Sequence, residues 1–355
     1  MSSQTMTPQA PSPAPAPADE RLARVGLVAR LLQRPEFGAL LGAIAVFVAF
    51  SITGDQFGTL GGAARWTDVA STYGLMAVVV ALLMIAGEFD LSAGVMTGTA
   101  GLLVGLLMTE ADLNTWVAIV LTMLFAACVG AANGIVVMST RLPSFIVTLA
   151  TFFVLRGLNL GVTKQITDTV RVAGLDQAPG YDSAARIFAS DFWSPYNYRI
   201  TVIWWIGFTI LATWILMRTR VGNWIFAVGG DATAARNVGV PVARVKIGLF
   251  IATSTMASLV GIMIALRLKS AQAGQGVGLE FYYIIAAVVG GCLLTGGYGS
   301  AIGASLGALI IGMAFIGIPF SGWDSDWYYV FLGVILLAAV LVNNIVRRRA
   351  QGARR

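Results

Sequence analysis

The sequence predicts an all-α integral membrane protein of about ten transmembrane helices, with both termini cytoplasmic. Three observations predict it. Of the 355 residues, 57% are hydrophobic and only 11% are charged, whereas an ordinary soluble domain carries roughly 25% charge. Apolar runs of roughly 17 to 25 residues recur along the chain, and each can cross a hydrocarbon core about 30 Å thick. Finally, the basic residues fall unevenly between the two sides that such spans would create.

Taken in order, residues 1–36 form a tail outside the membrane domain. Its first twenty residues include PQAPSPAPAPADE, too little apolar surface to offset the entropy of ordering, so they are expected to be disordered. No apolar stretch precedes Phe37, and no cleaved leader is expected. Arg21, Arg24, Arg30 and Arg34 are interleaved with leucine and valine, a pattern that suits either a short amphipathic helix on the membrane surface or a plain positive anchor. The membrane domain, 37–346, holds spans at 37–54, 68–87, 90–109, 115–139, 144–163, 199–217, 246–268, 281–297, 299–318 and 327–346. Two long polar segments interrupt them, 164–198 and 218–245, and a basic tail follows at 347–355.

With the N-terminus inside, fifteen Lys and Arg lie on the inner side and seven on the outer, while Arg156 remains within the fifth span. The positive-inside rule then places both tails in the cytoplasm, segment 218–245 inside and segment 164–198 outside. The net charge of +6 is thereby read as orientation rather than as a nucleic-acid surface. Histidine is absent, which removes the commonest general base and zinc ligand. Cys128 and Cys292 both lie within apolar segments and read as small packing residues. Neither a metal site nor a catalytic residue is assigned.

The segment GEFDLSAG, from Gly87 to Gly94, sets Glu88, Asp90 and Ser92 at the junction of the second and third spans. Charge at that depth must face protein, water or a cavity. Asp90 or Ser92 equally suits a helix cap, accepting from the free N–H groups of the third span. Asn133, Arg156, Asn159 and Glu280 also lie inside apolar spans. They read either as solute-path groups or as polar clamps between helices, with Glu280 or Glu88 as carboxylates for Arg156.

Segment 218–245 contains its own short helix. Asp231 is placed to cap it, Ala232 to Val238 to form it, and Gly239 to end it in a left-handed conformation, with Pro241 preventing continuation. Alone, it reads either as a cytoplasmic handle or as a solvated connector. On the other side, 164–198 carries Arg171, Asp182, Arg186 and Trp193, mixing charge with an aromatic anchor, which suits either a docking surface or a solvated loop. Glycines recur at four-residue spacing at Gly299, Gly303 and Gly307, and in the pairs Gly94/Gly98, Gly101/Gly105, Gly130/Gly134 and Gly157/Gly161. In lipid such spacing lets helix backbones approach closely. No G-x-x-x-x-G-K-[ST] occurs, so the glycine-rich stretch GGYGSAIGASLG does not read as a phosphate loop.

Four segments in order, GEFDLSAG, then NGIVVMSTRLPSFIVTLATFFVLRG, then AVGGDATAARNVGVPVARVK, then LEFYYIIAAVVGGCLLTGGYGSAIGASLGAL, resemble the ribose-type permeases of bacterial ABC sugar importers, in the branched-chain amino acid and ribose permease superfamily. The resemblance spans essentially the whole membrane region. It implies a multi-pass subunit of the bacterial inner membrane, paired with a second permease copy, that moves a ribose-, xylose- or galactose-like monosaccharide by alternating access. Separate P-loop ATPase subunits would hold ATP and magnesium, this chain needing no cofactor, and an extracytoplasmic binding protein would deliver the sugar to 164–198. Gly230, Asp231, Ala235, Arg236 and Gly239 would then lie in the coupling helix that docks on the ATPase. The chain reads GEFDLS where the family commonly has a second glycine and an aliphatic residue before the Asp, so sugar preference is not carried over through this motif. Nucleosides or a furanose-like signal molecule fit the same resemblance. An ion-coupled secondary carrier would call for acids near the midplane, and the acids here lie mostly near span ends.

Overall fold

A computed structural model describes residues 35–352, and side chains over 36–342. The expectations for the tail at 1–34 and for residues 353–355 lie outside the described residues. In chain order the helices are α1 (Pro35–Thr53), α2 (Leu60–Ile85), α3 (Ala93–Thr109), α4 (Thr115–Thr140), α5 (Ser144–Thr167), α6 (Tyr181–Phe188), α7 (Thr201–Arg218), α8 (Arg220–Gly230), α9 (Ala232–Asn237), α10 (Val242–Leu268), α11 (Leu279–Val289), α12 (Ala301–Phe320) and α13 (Trp327–Gly352). Among the described residues seven of them, α1, α2, α4, α5, α7, α10 and α12, are long and apolar enough to cross a membrane, α3 and α11 are shorter apolar helices, and the part of α13 whose side chains are described, Trp327–Val342, is apolar too. Helix is what lipid demands, because every backbone polar group must there be satisfied within the segment.

Two helices form the centre. In α2 and α10 the most apolar stretch is 78% buried, against 11% in α1 and 22% in α7. α2 packs between α12 and α7, α10 packs between α4 and α3, and α2 meets α10 to join the halves. α11 lies against α12 and α2, with α13 outside it, and α5 is peripheral, touching α3 and α4. Peripheral surfaces are apolar, as at Ile52, Ile210 and Val334, the surface expected of helices whose outward neighbour is lipid.

At one end, the ribbon end, β1 (Arg171–Ala173) pairs antiparallel with β4 (Ser270–Gln272), and β2 (Asp191–Phe192) pairs with β3 (Tyr198–Arg199). Segment 164–198 thus carries regular structure, with α6 between β1 and β2 along the chain and packed on α10. The opposite end, hereafter the α9 end, carries the turn 86–92, the pair α8 and α9, and the coil 290–300.

The eighth expected span requires correction. The stretch 281–297 was expected to cross, but α11 stops at Val289 and residues 290–300 are not helical. Eleven helical residues rise only about 16 Å, roughly half the core. Hydropathy counts 290–297 as apolar, yet Gly291, Gly296 and Gly297 adopt φ of 93°, 79° and 75°, where glycine is the residue that fits. Gly299 needs the same correction. Its four-residue spacing to Gly303 and Gly307 predicts a helix-packing residue, but it lies in the coil before α12, and a Cβ there would meet Cys292 Sγ at 2.6 Å. Gly303 and Gly307 face the backbone at Gly290 and Ala286.

Other glycine pairs divide by what they face. Gly130 and Gly134 on α4 lie against Ile251 and Ile247 of α10, a helix-to-helix contact. Gly94 and Gly98 instead admit coil, since a Cβ on either would overlap Glu280 or the Gln275 carbonyl of the α10–α11 linker. Gly157 and Gly161 have nothing within 4 Å.

Candidate coupling and pathway site

The α9 end is assembled from three chain breaks. α2 ends at Ala86 with Gly87 left-handed at φ 82°; Gly87 N–H donates to Met84 O at 2.9 Å and Glu88 N–H to Leu83 O at 3.1 Å, the paired bonds of a Schellman ending. The following turn is then held from outside. Phe89 N–H donates to Ser144 Oγ at 3.1 Å and Leu91 N–H to Thr148 Oγ1 at 3.0 Å. Two hydroxyls of α5 thereby satisfy backbone groups that the break leaves without helix partners.

Asp90 continues this network inward. Its Oδ1 accepts from Ser92 N at 2.8 Å and from Ser92 Oγ at 2.5 Å. Asn133 on α4 donates from Nδ2 to Ser92 Oγ at 3.2 Å and accepts from Thr151 Oγ1 at 2.6 Å. Asp90, Ser92 and Asn133 are all buried. Ser92 is the N-cap residue of α3 and makes no side-chain cap bond; Asp90 instead holds the Ser92 backbone N–H and hydroxyl just ahead of the helix. Asp90 Oδ2 remains buried without a hydrogen-bond partner, one acceptor that a water or solute hydroxyl would satisfy.

Glu88 forms an ion pair with Lys246 at the start of α10. Glu280 Oε2 accepts from Gly278 N at 3.1 Å and lies against Gly94. Neither carboxylate therefore serves Arg156, which is exposed on α5 with no ion pair among the described residues; the expected pairing is corrected. Asn159, one turn away, is buried with Nδ2 unpartnered. The structure thus brings Asp90, Ser92 and Asn133 into one network, with Glu88 beside it, and leaves Arg156, Asn159 and Glu280 apart.

α9 stands beyond this network. Asp231 Oδ1 accepts from Thr233 N at 2.8 Å and Ala234 N at 2.9 Å, and Gly239 turns the chain at φ 87°, with Val240 N–H donating back to Ala235 O at 3.0 Å. Ala235 is buried on the inner face while Val238 is 80% exposed, an apolar side chain offered outward. Gly230 closes α8 directly before the cap, and Arg236 lies in the last turn of α9.

At the ribbon end, Asp182 and Arg186 line a concavity of about 400 Å³ together with Tyr181, Arg199, Arg267 and Lys269. Arg171 lies apart, donating to Ser270 Oγ at 3.1 Å across the β1–β4 ribbon, and Trp193 sits at the β2–β3 tip, stacked on Tyr198 and 56% exposed. Lys269 donates to Asp176 Oδ2 at 3.0 Å. That hydrogen bond holds the Asp176 carboxyl below the usual carboxylate range and raises the Lys269 ammonium above its usual value. Sequence reasoning missed Lys246, Ser144, Thr148 and Thr151; the last three form a polar stripe at helical spacing within an apolar helix, and that was the available signal. Among the described residues no group of three His, Cys, Asp or Glu is arranged to hold a metal.

Comparison with known proteins decides the family. Residues 62–340 match the model of the branched-chain amino acid transport system / permease component family. The chain belongs to that family. This permease is 31% identical over 318 residues to the ribose import permease protein RbsC of Escherichia coli strain K12, covering 88% of this chain and 94% of the relative. It is also 31% identical to the probable ABC transporter permease protein YphD of the same strain, over 90% of this chain and 92% of the relative. The autoinducer 2 import system permease protein LsrC of Photorhabdus laumondii is 29% identical, over 88% and 90%. No solved structure matches the permease significantly. With its apolar helices and these relatives, the chain is a multi-pass inner-membrane permease of the ABC importer type, a transport subunit rather than an enzyme.

Proposed function

We propose that this permease moves a monosaccharide of the ribose, xylose or galactose type inward by alternating access, as a homodimer with both termini in the cytoplasm. Separate ATPase subunits, holding ATP and magnesium, dock on α9, and an extracytoplasmic sugar-binding protein lands on the ribbon end. The observation that carries the reading is α9 itself: a capped six-residue helix presented at one end of the bundle with Val238 outward. A carrier working alone has no use for such a handle.

The substrate class rests on the similarity to ribose import permeases and on the chemistry of the buried network. Hydroxyl and amide groups at Ser92, Asn133 and Thr151 suit a polyhydroxylated neutral solute, and Glu88, the additional carboxylate in the motif, is engaged by Lys246. A furanose-like signal molecule is the second reading, favoured by the similarity to autoinducer 2 permeases.

The homodimer reading rests on Arg156. It lies about 18 Å along α5 from Ser144 and about 12 Å from Lys164, inside the apolar stretch, and a guanidinium facing lipid there is costly. A second copy covering this face, with Gly157 and Gly161 open for close approach, removes Arg156 from lipid.

Proteoliposomes holding the permease, its ATPase and its binding protein should take up the sugar only with ATP present. Uptake by the permease alone, driven by a cation gradient, would overturn the proposal.

A further inference from the structure

The short helix α9 is fastened on both sides to one turn of the chain, and the two fastenings differ in kind. On its N-terminal side, α8 ends at Gly229 and Gly230, where three backbones cross. Gly297 N–H donates to Ile85 O at 2.8 Å. A Cβ on Gly229 would overlap the Ile85 carbonyl and lie 2.7 Å from Gly297 N, and one on Gly296 would lie 2.8 Å from the Gly87 Cα and 2.9 Å from Gly229 O. The end of α8, the end of α2 and the coil 290–300 therefore touch backbone to backbone, with no side chain between them to absorb a displacement. On its C-terminal side, Lys246 in the first turns of α10 reaches Glu88, three residues beyond Ile85. The side chains of this pair are only 13% and 11% exposed.

Both fastenings thus converge on residues 85–88, and that turn runs directly into the Asp90 network that α5 and α4 hold. We propose that Glu88 and Lys246 are positioning residues for coupling: together with the Gly229–Gly297 crossing they make α9 and the 86–92 turn one mechanical unit, so that displacement of α9 moves the entry of α3 and the buried Asp90 network. The proposal rests on the reading of α9 as the ATPase-docking helix.

Packed cores pass on discrete displacements because they are close-packed rather than fluid. An ion pair this little exposed to water is directional, whereas a neutral pair of similar volume fills the same space and permits slip. The test compares four variants in proteoliposomes with ATPase and binding protein: Glu88→Gln, Lys246→Met, the neutral pair Glu88→Gln/Lys246→Met, and the charge swap Glu88→Lys/Lys246→Glu. ATPase co-purification, ATP hydrolysis and solute uptake are each measured. In both single variants the ATPase should still co-purify and hydrolyse ATP, while uptake per ATP falls about fivefold or more, the scale of a modest coupling free energy. The neutral pair should recover thermal stability but not coupling, and the charge swap should recover both.

Unchanged uptake per ATP in the single variants, or recovery of coupling by the neutral pair, would overturn the proposal and leave the ion pair a structural one. If the swapped protein does not insert, the neutral pair decides. A Val238→Asp variant separates the underlying reading: if it still binds ATPase as the parent does, α9 is not the docking helix, whatever the Glu88 variants show.

Discussion

Lys246 and Glu88 form a part-buried ion pair across 158 positions of sequence, joining the first turns of α10 to the break between α2 and α3. Around this contact the α9 end is organised: α10 leads to the centre of the bundle, and the break leads to Asp90. The cap at Asp231 lies between them along the chain, and it supplies the first prediction. Asp231→Ala removes the acceptor for Thr233 and Ala234 N–H, a loss of about 1 kcal/mol of local helix stability. Insertion should be normal and ATPase affinity in a pull-down titration reduced, with Asp231→Asn close to the parent; equal affinities for all three would show that the cap is dispensable.

Ser144→Ala and Thr148→Val leave the Phe89 and Leu91 N–H groups without their partners. Each loss should cost about 1 to 3 kcal/mol, read as a lower melting temperature of the detergent-solubilised protein. Thr148→Val nearly preserves shape, so a drop in that variant isolates the hydrogen bond from packing.

Gly98→Ala and Gly157→Ala should part company. A Cβ at Gly98 would overlap the Gln275 carbonyl, while one at Gly157 has nothing within 4 Å. Gly98→Ala is expected to destabilise by about 1 to 3 kcal/mol through overpacking, and Gly157→Ala to leave thermal stability of the isolated chain unchanged. Light scattering of Gly157→Leu and Arg156→Ala then tests the α5 face, where a shift from dimer toward monomer is expected.

The ribbon end carries a pH dependence. Asp176 is held below its ordinary range by the Lys269 hydrogen bond, so its contribution is present above the unfolded carboxyl value of about 4 and is lost as pH falls through the lower folded value. Lys269 is raised, so its contribution is present below the unfolded value of about 10 and is lost as pH rises through the higher folded one. Hydrogen-exchange protection factors at 171–177, taken relative to the intrinsic rate at each pH, should therefore be flat across the neutral range and fall only at both extremes. Asp176→Asn should flatten the acid limb.

Most of this architecture was legible because lipid imposes a simple rule: a long apolar run must be a helix. α9 was legible too, because Asp231, Gly239 and Pro241 mark its limits locally. What hydropathy concealed was the end of α11, since Gly290 to Gly297 count as apolar while their backbone leaves the helix. The partner of Glu88 was concealed for a different reason. A contact between positions 88 and 246 depends on which helices neighbour each other, and the spacing of residues along the chain carries no record of that. Arg156 stands out in the sequence as a charge within an apolar span, but its expected partners, Glu88 and Glu280, are committed to Lys246 and to the Gly278 backbone.

The short α11 also has a consequence for biogenesis. By total apolarity 281–297 reads as a full crossing to insertion machinery, yet the folded chain leaves the helix at Val289 and pairs Gly297 N–H with Ile85 O. The groups that shield this coil, at the ends of α2 and α8, are synthesised before it. The order of the segments along the chain is thus an order of assembly, in which the last third of the protein completes its backbone on a receptor built by the first two.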